Sequence, residues 1–476
     1  MSSARTEMDE WRVGPSDWEG ALADTGGPQL VVAGPGTGKT EFLVRRTLHL
    51  IHSGEAAPAE MLLLTFSRRA AADLRRRVED RLDRSTTTIP ASTFHSFAYR
   101  MLEAHAPEAL GWEAMPSLLT GPEQVMLVAE LLRREDPERW PLTFRPLLHS
   151  STLAGEVADF LLRCRERLID RSGLSAGADH RPDWRALPGF LATYEKELER
   201  RRRIDYGTLQ AQAVWLLEHP EVQAAVGLQY RYVLVDEYQD TTAAQARLLE
   251  LVTAAHRNLT AAADPYQSVY SFRGAELHNV SEFPDRFRHA DGRPARRLVL
   301  TTSFRVPGAI LAAAELVTAG GHLPGASGPV EPAPHAGRVD AYVFPQASAE
   351  AEWVAQAAQR LHLQEGLPYR AMTVLVRSKR RFLPELSRAL DRRGIPHDPP
   401  DTRLVDQPAV RMVLDCALAA LHEARAPGLS EDAARAVRSL LLGPLFGLPL
   451  GRERDLLRQR RRTRRSWSDL LSERLP

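Results

Sequence analysis

The sequence predicts an α/β fold with a parallel sheet whose strands alternate with helices. Three observations predict it. Short, continuous apolar runs recur at Leu30–Ala33, Met61–Phe66, Tyr232–Val235 and Leu259–Ala263, the composition of strands buried on both faces. Stretches of helical period separate them. The first run passes directly into Ala33-Gly-Pro-Gly-Thr-Gly-Lys-Thr40, a glycine-rich turn placed between a strand and a helix.

That turn fits the phosphate-binding loop pattern, with Ala33 in place of the first glycine. Gly34, Pro35, Gly36, Thr37 and Gly38 form the turn, and backbone N–H groups at the start of the following helix face the phosphates. Lys39 reaches the β and γ phosphates as a point charge, and Thr40 places its hydroxyl on Mg²⁺. Lysine is scarce in this chain, occurring only at 39, 196 and 379. A glycine-rich turn that binds nothing is the competing reading, and the strand before and helix after argue against it.

The strand Tyr232–Val235 delivers Asp236 and Glu237 at its C-terminal end, where α/β sheets bind ligands. Asp236 is expected to hold the magnesium. Glu237 is expected to take the proton of the attacking water, the general-base role that hydrolysis requires. Two carboxylates after a strand could instead be a solvated strand end; beside the phosphate loop the catalytic reading is stronger.

Between about 106 and 204 the pattern changes to amphipathic helix, as in Gly121–Arg134 and Leu153–Leu168, and reads as an insertion in the core. Beyond Ser303 a Gly- and Pro-rich stretch, Gly320–Gly337, leads to apolar runs at Arg338–Phe344 and Met372–Arg377. These are expected to be strands of a second α/β unit. The helix Phe382–Arg393 stops at Gly394, and Pro396, Pro399 and Pro400 mark a further boundary before a mostly helical remainder.

The composition sets limits. With 476 residues and 43% hydrophobic content the chain can bury several cores. Cys164 and Cys416 are too few and too far apart for a disulfide framework, a CxxC site or an iron–sulfur cluster. The segment Met1–Trp11 is polar, and no apolar run approaches the length of a membrane span, so no membrane role and a cytoplasmic location are expected. A formal net charge of +1 hides arginine blocks at Arg200–Arg203 and Arg452–Arg465. Each reads either as a solvated helix face or as a set of phosphate contacts.

Three further segments have chemistry to offer. Leu64-Thr-Phe-Ser-Arg-Arg-Ala-Ala71 begins at a strand end and puts Phe66 where a base can stack. Ala91-Ser-Thr-Phe-His-Ser-Phe97 offers Thr93, His95 and Ser96 to backbone phosphates. Asp264-Pro-Tyr-Gln-Ser-Val-Tyr-Ser-Phe-Arg-Gly-Ala275 interleaves Tyr266, Tyr270 and Phe272 with Gln267 and Arg273. Stacking a base on an aromatic contributes about 1–3 kcal/mol whatever the base. Singly, each aromatic could be core.

Taken in order, these segments resemble superfamily 1A DNA helicases, the UvrD/Rep/PcrA group, from about residue 15 to 400. The resemblance implies a RecA-like ATP-binding domain over 8–306, interrupted by the helical insertion. A second, incomplete RecA-like domain over 307–400 and a partial helical region over 401–476 would follow. It implies ATP and Mg²⁺ as cofactors, single-stranded DNA and duplex junctions as partners, and 3′ to 5′ movement in DNA repair or recombination. By the same resemblance Gln267 senses the γ phosphate, while Phe66, Thr93, His95, Tyr270, Phe272 and Arg273 contact DNA. Leu300-Thr-Thr-Ser-Phe-Arg305 resembles the fourth motif: Phe304 stacks on adenine and Arg305 reaches the γ phosphate from the second domain. The wording Gly121-Pro-Glu-Gln resembles a helicase–nuclease branch, which implies a nuclease or second helicase subunit as partner.

The sequence departs from the family at three places. Trp18 stands where an adenine-reading Gln is usual, and Glu41 where many members have Arg, so base selectivity is expected to be looser. No counterpart of the fifth or sixth motif is found. A transition-state arginine is worth about 10³ to 10⁵ in rate, so this chain is expected to bind ATP and turn it over poorly. The alternative function is an ATP- and DNA-binding switch without unwinding of its own.

Overall fold

The computed structural model describes residues 10–24, 26–82, 89–269, 276, 278–318, 323, 325–326, 328–397, 407–423, 431–443, 448 and 450–463. The chain divides into two compact units, 1–339 and 340–476.

In the first unit the chain lays down β1 (Glu10–Val13), β2 (Gln29–Ala33), β3 (Met61–Thr65), β4 (Ala91–Thr93), β5 (Ser117–Leu118), β6 (Arg203–Ile204), β7 (Tyr232–Val235), β8 (Leu259–Ala263), β9 (Arg296–Leu300), β10 (Thr302–Pro307) and β11 (Glu331–Ala333). Seven of these strands form one sheet in the order β1-β9-β2-β8-β7-β3-β4, and every pairing in it is parallel. This large parallel sheet among helices is the predicted α/β core.

Strand alternation divides the apolar residues between two faces. Leu30, Val32, Leu62, Leu64, Val233, Val235, Ala261 and Ala263 face one layer of helices, with Phe94, Phe97 and Met101 from the helix Phe94–Leu110 and Leu248 and Leu249 from the helix Ala243–Val252. Val31, Ala33, Met61, Leu63, Leu234 and Ala262 face the other, against Phe42, Leu43 and Leu50 of the helix Lys39–His52 and Leu74 and Val78 of the helix Arg68–Glu79. Both faces being covered explains why these strands read as unbroken apolar runs.

Arg46 is buried inside the second face, at 2% exposure. Its guanidinium donates to Thr260 Oγ1 at 2.9 Å and to the carbonyls of Ala21 and Leu22 at 3.4 and 3.3 Å, and burial lowers its pKa to about 10. It thereby ties the helix Lys39–His52 to β8 and to the helix Trp18–Ala23. Arg46→Ala leaves a cavity and removes these bonds, an expected cost of about 2–4 kcal/mol in denaturant unfolding; a change under 0.5 kcal/mol would contradict this role.

The stretch between β4 and β7 contains the helices Gly121–Leu132, Ser151–Glu166, Arg171–His180 and Leu187–Arg200. They have a core of their own, including Leu127, Val128, Trp140, Leu161, Phe190 and Tyr194. The parallel pair β5–β6 closes the neck where this layer leaves and rejoins the chain. The arginine block here is spoken for: Arg200 and Arg201 pair with Glu197, Arg201 also with Glu130, Arg202 with Glu113 and Arg203 with Glu123. Such ion pairs are those of a solvated surface.

The second unit contains the helices Ala347–Glu365, Lys379–Arg392, Pro408–Glu423, Glu431–Leu442 and Leu450–Thr463. Ala351, Ala355, Leu386, Ala389, Leu390 and Ile395 form its small core. The strands expected at Arg338–Phe344 and Met372–Arg377 are not formed: neither segment has a ladder partner among the described residues. Val343 and Leu375 are 97% and 91% exposed. An apolar run becomes a strand only when a neighbour takes up its backbone hydrogen bonds. Among the described residues no helix is long and apolar enough to cross a membrane.

Candidate nucleotide-binding site

The site lies along the C-terminal edge of the sheet. The loop 34–38 follows β2, Asp236 and Glu237 follow β7, and Asp264 follows β8, which runs between those two strands. Strand order alone therefore brings together groups far apart in sequence, at the edge where ligands of such sheets bind.

The loop conformation requires its glycines. Gly36 and Gly38 have φ of +76° and +93°, in the left-handed region that L-side chains rarely adopt. A Cβ on Gly36 would also lie 2.6 Å from Ser303 Oγ. Thr37 closes the turn, its N–H and hydroxyl both donating to Gly34 O, at 3.3 and 2.8 Å. The next helix makes its first α-type bond from Phe42 N–H to Gly38 O, so the N–H groups of its opening turn, Lys39 to Glu41, have no carbonyl within the helix. An anion fits there.

Thr40 Oγ1 donates to Asp236 Oδ2 at 2.9 Å, and Glu237 N–H donates to Asp236 Oδ1 at 3.0 Å. Lys39 Nζ lies 3.3 Å from Glu237 Oε2. Glu237 has a left-handed backbone, φ +55°, and its Oε2 also accepts from Gln239 Nε2 at 2.5 Å. Gln239 was not singled out by the sequence reading. Its Oε1 accepts from Asp264 N–H at 2.9 Å, so one buried amide links the ends of β7 and β8. Gln267 Nε2 donates to Asp264 Oδ2 at 2.6 Å.

Charge here is unbalanced. Burial pushes the Asp236 carboxyl up to about 6, with the Glu237 carboxylate adding to the rise. Asp240 is raised to about 6 by the same two causes, and burial raises Asp264. Lys39 opposes all three. Such an acidic cluster with one ammonium fits a divalent cation. Among the described residues no group of three or more His, Cys, Asp and Glu side chains could hold a metal alone. Mg²⁺ takes one or two protein ligands and completes its shell with phosphate and water. Thr40 and Asp236 are the groups that could hold it.

The raised pKa has a stability consequence. The folded chain holds the Asp236 proton more tightly than the unfolded chain. The stabilising effect of that proton is present below the ordinary value of 3.8 and is lost as pH rises through about 6. Asp236→Asn is therefore expected to stabilise the nucleotide-free chain at pH 8 by about 1–3 kcal/mol and to do little at pH 4. Denaturant unfolding at both pH values checks this; a loss of stability at pH 8 would contradict it.

The remaining candidates divide. Phe66, half-buried, follows β3, and Thr93 and His95 follow or end β4, on the side of β7 away from the phosphate loop. Thr93 is buried and its Oγ1 caps the helix Phe94–Leu110 by accepting from Ser96 N–H at 3.2 Å. His95 lies edge-on to Tyr206. Burial lowers its pKa to about 4, so at neutral pH it has no charge to offer a phosphate. Tyr270, Phe272 and Arg273 lie outside the described residues.

Phe304 and Arg305 are exposed on β10. Both belong to the first unit, which runs on to 339. The reason is a direct fastening to the loop: Phe304 N–H donates to Gly36 O at 2.9 Å and Ser303 Oγ donates to Pro35 O at 3.0 Å.

Parallel sheet, glycine loop, and the Thr40–Asp236 and Lys39–Glu237 pairs together define a phosphate-loop α/β protein of the nucleotide-binding class. Comparison with known families makes this specific. The UvrD/REP helicase N-terminal domain matches residues 15–288, and the chain belongs to this family. It is similar to the ATP-dependent DNA helicase PcrA of Staphylococcus aureus strain Mu50, 27% identical over 359 residues, which are 75% of this chain and 47% of that protein. It is also similar to the ATP-dependent DNA helicase PcrA of Staphylococcus epidermidis, 28% identical over 305 residues, 63% of this chain and 39% of that protein. The chain thus spans less than half the length of these relatives.

Proposed function

We propose that this chain is the ATP-binding part of a DNA helicase that moves 3′ to 5′ on single-stranded DNA and opens duplex junctions in repair or recombination. The observation that carries the reading is the pairing of Thr40 with Asp236 and of Lys39 with Glu237. It sets the groups needed for phosphate, metal and water at one sheet edge, in a chain of the UvrD/REP family.

In this reading the N–H groups of the loop and of the first helical turn hold the phosphates, and Lys39 neutralises their charge. Thr40 and Asp236 would hold Mg²⁺, whose charge would draw electron density from the phosphoryl oxygens. Glu237 orients the attacking water and takes its proton. In the nucleotide-free arrangement Lys39 and Gln239 both engage Glu237 Oε2, which occupies that oxygen. Phosphates drawing Lys39 away would release Glu237 only when substrate is present. Gln267, tethered to Asp264, and Arg305, beside Gly36, sense the γ phosphate. Phe304 covers the base. Phe66, Thr93, His95, Tyr270, Phe272 and Arg273 form the DNA path; the first RecA-like lobe ends at 306, the incomplete second covers 307–400, and the helical region 401–476 follows. A cytoplasmic location and a nuclease or second helicase subunit as partner belong to the same proposal.

The test is ATP turnover by the full chain with and without single-stranded DNA. Turnover that rises with DNA supports a motor. Tight binding of both ligands without turnover supports the switch, and failure to bind nucleotide would overturn the reading altogether.

A further inference from the structure

The phosphate loop has an aromatic wall. Trp18 opens the helix Trp18–Ala23 and is 6% exposed. Its ring stands edge-on to Phe42 and Phe304, at centroid distances of 5.7 and 6.1 Å, and the Arg45 guanidinium lies 5.2 Å from its centroid. The wall abuts the loop itself, since a Cβ on Gly38 would come 3.1 Å from Trp18 Cη2. Phe304 keeps 56% of its surface open while its backbone is bonded to Gly36. An exposed aromatic face is thus fixed beside the phosphate path, backed by a buried one.

The carboxylates beside this wall are already engaged. Asp17 accepts from Gly14 N–H at 3.3 Å and Ser16 Oγ at 3.4 Å. Glu41 accepts from Arg45 at 3.0 Å and from both terminal nitrogens of Arg81 at 2.8 and 3.1 Å. The rings of the wall offer one polar group, the Trp18 indole N–H, which can only donate. Adenine and guanine share the N7 acceptor and differ at position 6, where adenine carries an amino donor and guanine a carbonyl acceptor. Stacking on a ring does not read that position, and Trp18 supplies no acceptor for the amino group.

Resting on the nucleotide-site reading above, we infer that the base pocket selects purines by stacking and does not distinguish adenine from guanine, with Trp18 the residue that sets this specificity. The chain binds Mg·GTP about as well as Mg·ATP, and Mg·CTP less well because a pyrimidine covers less of the aromatic face.

The test is competition of ATP, GTP and CTP, each with Mg²⁺, against a fluorescent ATP analogue on the full chain. ATP and GTP are expected within about threefold of each other, and CTP at least about fivefold weaker. Trp18→Gln, whose amide offers both a donor and an acceptor to adenine, is expected to shift the ratio toward ATP by about tenfold or more. Trp18→Phe keeps a ring and loses the N–H, and is expected to weaken ATP and GTP by the same factor. It keeps the test open if the Gln variant does not fold. A preference for ATP above about tenfold in the unaltered chain would overturn the inference while leaving nucleotide binding intact. So would a Trp18→Phe variant that weakens one purine only. No binding of any nucleotide overturns the functional reading and the inference together.

Discussion

Lys39→Ala is expected to weaken ATP binding by at least about a hundredfold, because in the proposed function it removes the ammonium that neutralises the phosphates; a charge-assisted hydrogen bond contributes about 1.5–3 kcal/mol, and an ammonium has three donors to offer phosphate oxygens. The chain should stay folded. Among the described residues Lys39 pairs with Glu237, which is itself partly open to solvent at 36% side-chain exposure, and the surrounding apolar core does not depend on the lysine. Thermal unfolding without nucleotide should therefore change little, while the rise in midpoint that ATP produces in the parent chain should vanish. ATP affinity within threefold of the parent, in a folded variant, would contradict the phosphate-loop assignment.

Glu237→Gln is expected to separate binding from turnover. The carboxylate is placed by the left-handed turn at 237 and by Gln239, and the amide keeps its size and much of its hydrogen bonding. It cannot accept the proton of water. A positioned general base contributes about 10²–10⁴ in rate, so DNA-stimulated hydrolysis should fall by about that factor. ATP should bind at least as tightly as before. Removing a carboxylate from a cluster in which Asp236 and Asp240 are already raised to about 6 relieves repulsion that the γ phosphate would otherwise meet. Unchanged turnover would place the proton acceptor elsewhere, with Asp240 the next group to vary.

Much of this site was legible in the sequence because its signals are local. The glycines at 36 and 38 announce a loop that only positive φ permits, and β2, β3, β7 and β8 announce themselves as apolar runs buried on both faces. What escaped depends on long-range pairing. β9 begins with Arg296 and Arg297, which disguise a central strand. The structure resolves the disguise by letting the Arg297 guanidinium donate to the carbonyls of Gly325 and Ala326, at 3.1 and 2.7 Å. β1 and β4 are short and lie at the two edges of the sheet, where a run of three or four residues has no distinctive pattern. The segments 338–344 and 372–377 show the converse. Their apolar composition suits a strand, yet composition supplies no neighbour to bond with. Gln239 was hidden for another reason: nothing in its own sequence context tells that β8 passes beside β7 and puts Asp264 N–H within its reach.

The proposed function sets the nucleotide site and the DNA path along one sheet edge, and its most direct measurement is ATP affinity of the full chain with and without saturating single-stranded DNA, in Mg²⁺. The account predicts that DNA changes ATP affinity by at least about fivefold, and that ATP changes DNA affinity by the same factor, as linkage demands. Equal ATP affinity in the presence and absence of bound DNA would contradict it.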